Sequence, residues 1–231
     1  MTTLVGIVAG KGKKGVILGS DLSITRVQWN PRGDIAYKQV TKAEGQKIYV
    51  DEKRQVALCM AGIWDLSYKN FRDSILSGEI DIKKVIKKGH FNELSKLNHR
   101  RWNGKVPIGD AVNSLLIATR FGEPKLYTCW PLGRVEEKVY TAIGSGSEYV
   151  LKYITNQDAS IPRGITLSDG VDLVNSSLEK ASEDIYTIGV DLVVVTSMGI
   201  KEFGGEIKDS IDQAKQRTIE RIKRKVTQKS R

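Results

Sequence analysis

Thr3-Leu4-Val5-Gly6-Ile7-Val8-Ala9 and Gly15-Val16-Ile17-Leu18-Gly19-Ser20-Asp21 are two apolar runs joined by Gly10-Lys11-Gly12-Lys13-Lys14. Short apolar segments on either side of a Gly- and Lys-rich turn predict a β-hairpin. The pairing returns Asp21, at the end of the second strand, to the side of the amino terminus. Working outward, residues 47–50 and 56–61 predict a second hairpin across the charged turn Asp51-Glu52-Lys53-Arg54. Residues 26–46, punctuated by Trp29, Pro31, Gly33, Tyr37 and Gly45, are expected to form a long loop or irregular hairpin. Leu66, Phe71 and Ile75 then shift to helical spacing over 64–76 until Ser77-Gly78, and a second helical region covers 82–102 with a break at Gly89. Strands are predicted at 113–121, 125–130 and 138–143. Gly144-Ser145-Gly146-Ser147 precedes a helix carrying Tyr149, Val150, Tyr153 and Ile154 on one side, and Ser168 is the expected cap of a helix over 169–182. A buried strand at 190–196, paired with 200–203, and a basic terminal helix at about 208–226 complete the chain, which reads as a single domain over residues 1–231. Hairpins that pair with each other while helices arrive in twos predict an α+β fold: a four-layer αββα sandwich of two stacked antiparallel sheets flanked by helices.

Composition narrows the function classes. With 231 residues and 40% hydrophobic content the chain can bury a full core, and its longest apolar runs fall far short of the roughly 20 residues that cross a bilayer. The net charge of +10 is clustered in residues 11–14, 83–105 and 215–231, as in basic turns, a helix face and a tail. It lacks the interleaved aromatics of a base-stacking platform, so no specific nucleic-acid role is expected. Cys59 and Cys129 lie in strand-like stretches without CxxC spacing and are read as buried, reduced thiols of a cytosolic protein. His90 and His99 are too far apart in a basic segment for a metal pair or a catalytic dyad, and no cofactor or metal is expected.

Thr2 admits two readings from its own residues. It is either the first residue of a strand or, once Met1 is removed, a hydroxyl nucleophile with a free α-amine on the same residue. An α-amine with a pKa of about 7.7–8.0 is partly neutral near pH 7 and can take the hydroxyl proton. With only Met1 ahead of Thr2, activation is expected to reduce to removal of that residue.

The motifs, taken together from Thr2 to about Thr196, resemble those of β-type, archaeal-like subunits of the proteasome, which are N-terminal-nucleophile hydrolases. Thr2-Thr3-Leu4-Val5-Gly6 matches the mature start of such subunits, Gly19-Ser20-Asp21 the segment with an acidic partner, and Gly45-Gln46-Lys47-Ile48-Tyr49 the lysine and aromatic run. Ala61-Gly62 matches the glycine whose N–H donates to the oxyanion, and Gly144-Ser145-Gly146-Ser147 the family's Gly-Ser-Gly-Ser. Asp184-Ile185-Tyr186-Thr187-Ile188-Gly189 resembles Asp-x-Tyr-Ser-Gly-Gly, with Thr187 in place of serine and Ile188 in place of a glycine. The resemblance implies Thr2 as nucleophile, Asp21 and Lys47 as its acidic and cationic partners, and Gly62 as oxyanion donor. Ser145, Asp184 and Thr187 become supports of the terminal amine.

The same likeness implies the N-terminal-nucleophile fold, a cytoplasmic threonine endopeptidase, and homo-oligomeric rings, with α-type subunits and an ATPase feeding unfolded polypeptide. An amidase or peptide ligase of the same fold, and a catalytically silent ring subunit, are the alternatives. The stretch between Ile24 and Lys47 is longer than the family pattern and carries Trp29 and Tyr37, which implies a narrowed or covered cleft or an altered ring interface. Met60 and Trp64 match positions of the side-chain pocket wall.

Overall fold

The structure, a computed structural model, describes residues 2–10, 14–29, 35–42, 47–62, 66–88, 114–130, 134–157, 165–181 and 190–203. The expected 208–226 helix, Asp184, Thr187, Trp64, His90 and His99 lie outside the described residues.

Among the described residues the strands are β1 (Thr3–Ala9), β2 (Gly15–Ser20), β3 (Ser23–Trp29), β4 (Ile35–Lys42), β5 (Ile48–Asp51) and β6 (Val56–Ala61). They continue with β7 (Ser114–Thr119), β8 (Lys125–Cys129), β9 (Val135–Lys138), β10 (Tyr140–Gly144), β11 (Asp191–Thr196) and β12 (Gly199–Phe203). The helices are α1 (Leu66–Ser77), α2 (Ile82–Lys88), α3 (Ser147–Asn156) and α4 (Leu167–Ala181). Two five-stranded antiparallel sheets form, in the orders β10-β1-β2-β11-β12 and β5-β6-β7-β8-β9.

The alternation of side chains along each strand builds the layers. On β1, Leu4 faces the opposing sheet, whereas Val5, Ile7 and Ala9 face α3 and α4. On β6, Ala57, Cys59 and Ala61 turn to the middle of the sandwich and Val56, Leu58 and Met60 turn outward to α1 and α2. A strand buried on both faces carries apolar residues at every position, which is why these segments read as continuous apolar runs. Three cores result, one between the sheets and one beneath each helical layer. This is the αββα sandwich expected from the element order.

Of the long loop and the irregular hairpin expected over 26–46, the described residues 23–29 and 35–42 take the second. They form the antiparallel ribbon β3–β4, with a register shift at Gln28/Trp29, as a sheet of its own. Ile24, Thr25, Val27 and Trp29, with Ile35, Tyr37, Val40 and Thr41, supply enough β-branched and aromatic residues to support pairing despite Pro31 and Gly33. The strand expected over 138–143 is β10, which starts at Tyr140, and a further strand, β9, precedes it over Val135–Lys138. β9 closes one sheet and β10 the other, and the chain changes sheets at Val139, whose carbonyl accepts from Val8 N–H at 2.7 Å. The cap of α4 is Thr166 rather than Ser168. Thr166 Oγ1 and Asp169 exchange hydrogen bonds, with Asp169 N–H donating to Oγ1 at 3.2 Å and the hydroxyl meeting the Asp169 carboxylate at 2.8 Å. A short polar side chain three residues before an acid is the capping-box arrangement, here two residues earlier than the serine.

The helix layer closes tightly over β2 because Gly19 has no side chain. A Cβ there would lie 2.4 Å from Val174 Cγ1 and 2.8 Å from Leu178 Cδ1, both on α4. Gly19→Ala is therefore expected to cost about 1–3 kcal/mol, as overpacking a dense core does. Urea unfolding of the two proteins measures it, and equal midpoints would show that α4 sits higher on the sheet than described.

Candidate active site

The β1–β2 hairpin places the start of the chain beside Asp21, which follows β2 directly. Asp21 N–H donates to Thr3 O at 3.0 Å, and Thr3 N–H donates to Asp21 Oδ1 at 2.6 Å. The same oxygen accepts from Lys47 Nζ at 2.9 Å. Lys47 stands one residue before β5, in the opposing sheet, so this contact bridges the two sheets. The Asp21 side chain is fully buried and that of Lys47 is 11% exposed. Burial holds the Lys47 ammonium below its usual 10.5, although the charge and hydrogen bond of Asp21 act in the opposite direction.

The turn between β10 and α3 closes the other side. Ser145 N–H donates to Thr2 O at 3.0 Å and Gly146 N–H to Thr3 Oγ1 at 3.1 Å. Gly144 has φ +96°, and a Cβ there would fall 1.6 Å from Thr2 O, so the backbones approach only because the residue is glycine. Gly62 ends the β6 segment with φ +130°, also a glycine conformation, and is solvent-exposed. Thr2 itself is half-buried.

Of the expected site residues, Thr2, Asp21, Lys47 and Ser145 are tied to one terminus by these hydrogen bonds, and Gly62 lies at the end of β6, whose partner strand β5 follows Lys47. Met60 packs under α1 and α2 rather than toward the middle of the sandwich. Thr3 and Gly146 were not singled out from the sequence. Their contact runs through a backbone N–H, and its only sequence trace is a second threonine and a second glycine beside residues already noted. Cys59 and Cys129 are free and buried, and burial pushes the Cys129 thiol up to about 12 and the Cys59 thiol higher still, aided by Asp191. Among the described residues no group of three or more His, Cys, Asp or Glu side chains could hold a metal ion, and no helix is long and apolar enough to cross a membrane.

Asp191 is the cross-strand partner of Ser20, whose buried hydroxyl has no hydrogen-bond partner among the described residues. Burial, with the charge of Glu202 adding to it, raises the Asp191 carboxyl above its usual value despite a hydrogen bond from Leu192 N–H. A raised carboxyl favours folding below its unfolded value near 3.8, and that contribution is lost as pH climbs through the folded value. Asp191→Asn is therefore expected to be more stable than the parent at pH 7, with the difference shrinking toward pH 4; urea titrations at the two pH values decide it, and a less stable variant at pH 7 would refute the assignment.

For Lys47, the sign is opposite. Removing the Asp21 charge while keeping its acceptor, in Asp21→Asn, leaves burial opposed by the hydrogen bond without the charge. The Lys47 ammonium then titrates at lower pH than in the parent, a shift that NMR of the lysine side chain would register; an unchanged or higher value would contradict the pairing.

Residues 103–195 match a family model described as Proteasome subunit, a span that leaves Thr2, Asp21, Lys47 and Gly62 outside it. The chain is 34% identical over 88 residues to the proteasome subunit beta 1 of Nitrosopumilus maritimus, covering 37% of this chain and 43% of that protein. It is 28% identical over 209 residues to the proteasome subunit beta 2 of Pyrococcus furiosus, covering 88% and 91%. It is also 28% identical over 200 residues to the proteasome subunit alpha of Methanocaldococcus jannaschii, covering 84% and 69%. The first of these matches thus spans less than half of the relative's length.

Proposed function

On the premise that this chain is a proteasome subunit, which the family match, the relatives and the four-layer fold support, we propose that it is of the catalytic β type and acts as a threonine endopeptidase. The observation that carries this reading is the Asp21–Lys47 pair beneath the Thr2–Thr3 peptide. Two charges taken out of water gain little stability over an apolar pair of similar volume. They make chemical sense beside a hydroxyl that must lose a proton.

In the proposed mechanism Met1 is removed and the Thr2 amine takes the proton of the Thr2 hydroxyl as the oxygen attacks a peptide carbonyl. The Lys47 ammonium favours the developing alkoxide and disfavours protonation of the neighbouring amine, keeping it available as a base. Asp21 holds that ammonium charged and aimed. The Gly62 N–H donates to the tetrahedral oxyanion, a contribution on the order of 3 kcal/mol for such a donor. The Thr2 amine passes that proton to the leaving nitrogen as the carbonyl reforms, the amine product departs, and the acyl ester left on Thr2 Oγ1 is hydrolysed by water with the amine again as base. Ser145, Asp184 and Thr187 support the terminal amine. Assembly into rings with α-type subunits, feeding by an ATPase, a cytoplasmic setting and the single-domain extent 1–231 belong to the same proposal.

A second reading rests on the match to an alpha subunit: a ring subunit without peptidase activity. Transfer of the acyl group to an amine instead of water, as in a ligase, would appear as amide product when a competing amine is added. Turnover of a fluorogenic peptide separates these outcomes. Thr2→Ala and Lys47→Ala are each expected to lower it by at least about 100-fold while assembly is retained. Full activity in either variant would refute the mechanism, and a parent protein without peptidase activity would favour the structural subunit.

A further inference from the structure

The peptide group joining Thr2 to Thr3 is held at both polar ends, its carbonyl by Ser145 N–H and its N–H by Asp21 Oδ1. The Thr3 hydroxyl adds an anchor on a different element. It accepts from Gly146 N–H at 3.1 Å, and Gly146 is the N-cap residue of α3. The first N–H groups of a helix have no partner within the helix, so this bond satisfies a donor at that end. A Cβ on Gly146 would lie 2.3 Å from Thr3 Oγ1, so the turn has room for the hydroxyl and for nothing more.

The residue type at position 3 is itself informative. Val5, Ile7 and Ala9 share its face of β1 and are apolar, packed under α3 and α4. Thr3 is fully buried on that face. A hydroxyl in such a place is costly unless bonded, and valine, of nearly the same shape, would satisfy packing without one. Packing of the strand therefore does not call for threonine, although the Gly146 N–H draws on its hydroxyl. Geometry at the terminus does, because the Thr3 side chain links the α3 turn to the same peptide group whose N–H meets the Asp21 oxygen shared with Lys47.

We propose that Thr3 is a positioning residue for Thr2: its hydroxyl fixes the Thr2–Thr3 peptide group against the α3 turn, so that the amine and hydroxyl of Thr2 are held in register with Lys47. The inference rests on the peptidase reading above. Thr3 is fully buried, and its action is exerted through the backbone.

The test compares Thr3→Val with Thr3→Ser in the full chain, using steady-state hydrolysis of a fluorogenic peptide together with amide hydrogen exchange at Ser145 and Gly146. Thr3→Val is expected to lower kcat roughly 10- to 100-fold with KM within about twofold, the pattern of a misplaced reacting group rather than lost binding. Thr3→Ser keeps the acceptor and is expected to stay within about threefold of the parent in kcat. Exchange at Gly146 is expected to accelerate at least about tenfold in the valine variant and not in the serine variant. A valine variant with parental kcat, or one whose loss serine does not restore, overturns the inference. If the parent cleaves no peptide, the peptidase reading fails; exchange still decides the anchor, with unchanged protection in Thr3→Val overturning it. Should the valine variant not fold, Thr3→Cys replaces it with the same expectation, since its sulfur is only a weak acceptor.

Discussion

One carboxylate oxygen, Asp21 Oδ1, receives both the backbone N–H of Thr3 and the ammonium of Lys47, and the rest of the site is arranged around that sharing. The two donors come from opposite sheets, so the contact can form only when the sandwich is closed and the inter-sheet core of Leu4, Leu18, Ile48 and Cys59 is packed. The carboxylate is fully buried, and a buried charge with one partner removed is strongly unfavourable. Fold and site are thus coupled. The same closure that buries the core sets the lysine beside the first residues of the chain.

The second constraint is the tight turn at residues 144–146. Gly144 and Gly146 bring backbone N–H groups against Thr2 and Thr3 at distances a side chain would forbid. A terminus is ordinarily the part of a chain with least order. Here it is fixed from two sides, by the acid after β2 and by the turn before α3. If Thr2 is the nucleophile proposed above, that fixity orients a base and a hydroxyl that belong to one residue. The buried Asp191 and the Ser20 hydroxyl, which has no partner among the described residues, lie at the next rung of the same sheet, so the polar character of this end of the sandwich extends beyond the residues assigned to the chemistry.

Much of the fold was legible because both faces of the inner strands are buried. The runs 3–9, 15–20, 56–61 and 191–196 are apolar apart from Thr3, Ser20, Asp191 and Thr196 at their ends, and their turns carry glycine or charge. The β3–β4 ribbon was obscured by Pro31 and Gly33, which mark a turn without revealing whether the flanking chain pairs. The sheet change at Val139 has no sequence signature, since no proline or glycine interrupts residues 135–143 and the switch depends on which neighbour each half finds. At the site, Asp21 and Lys47 were legible as residue types within a motif order that resembles a family. The Thr3 anchor was not, because it is made by a main-chain N–H that every residue but proline possesses.

The most direct measurement is tandem mass spectrometry of the amino-terminal peptide after treatment of the native protein with a β-lactone acylating probe. The account predicts a chain that begins at Thr2 and carries the acyl group there, with the adduct absent when Lys47 is replaced by alanine. A chain that retains Met1, or one in which the acyl group is found on a residue other than Thr2, would contradict it.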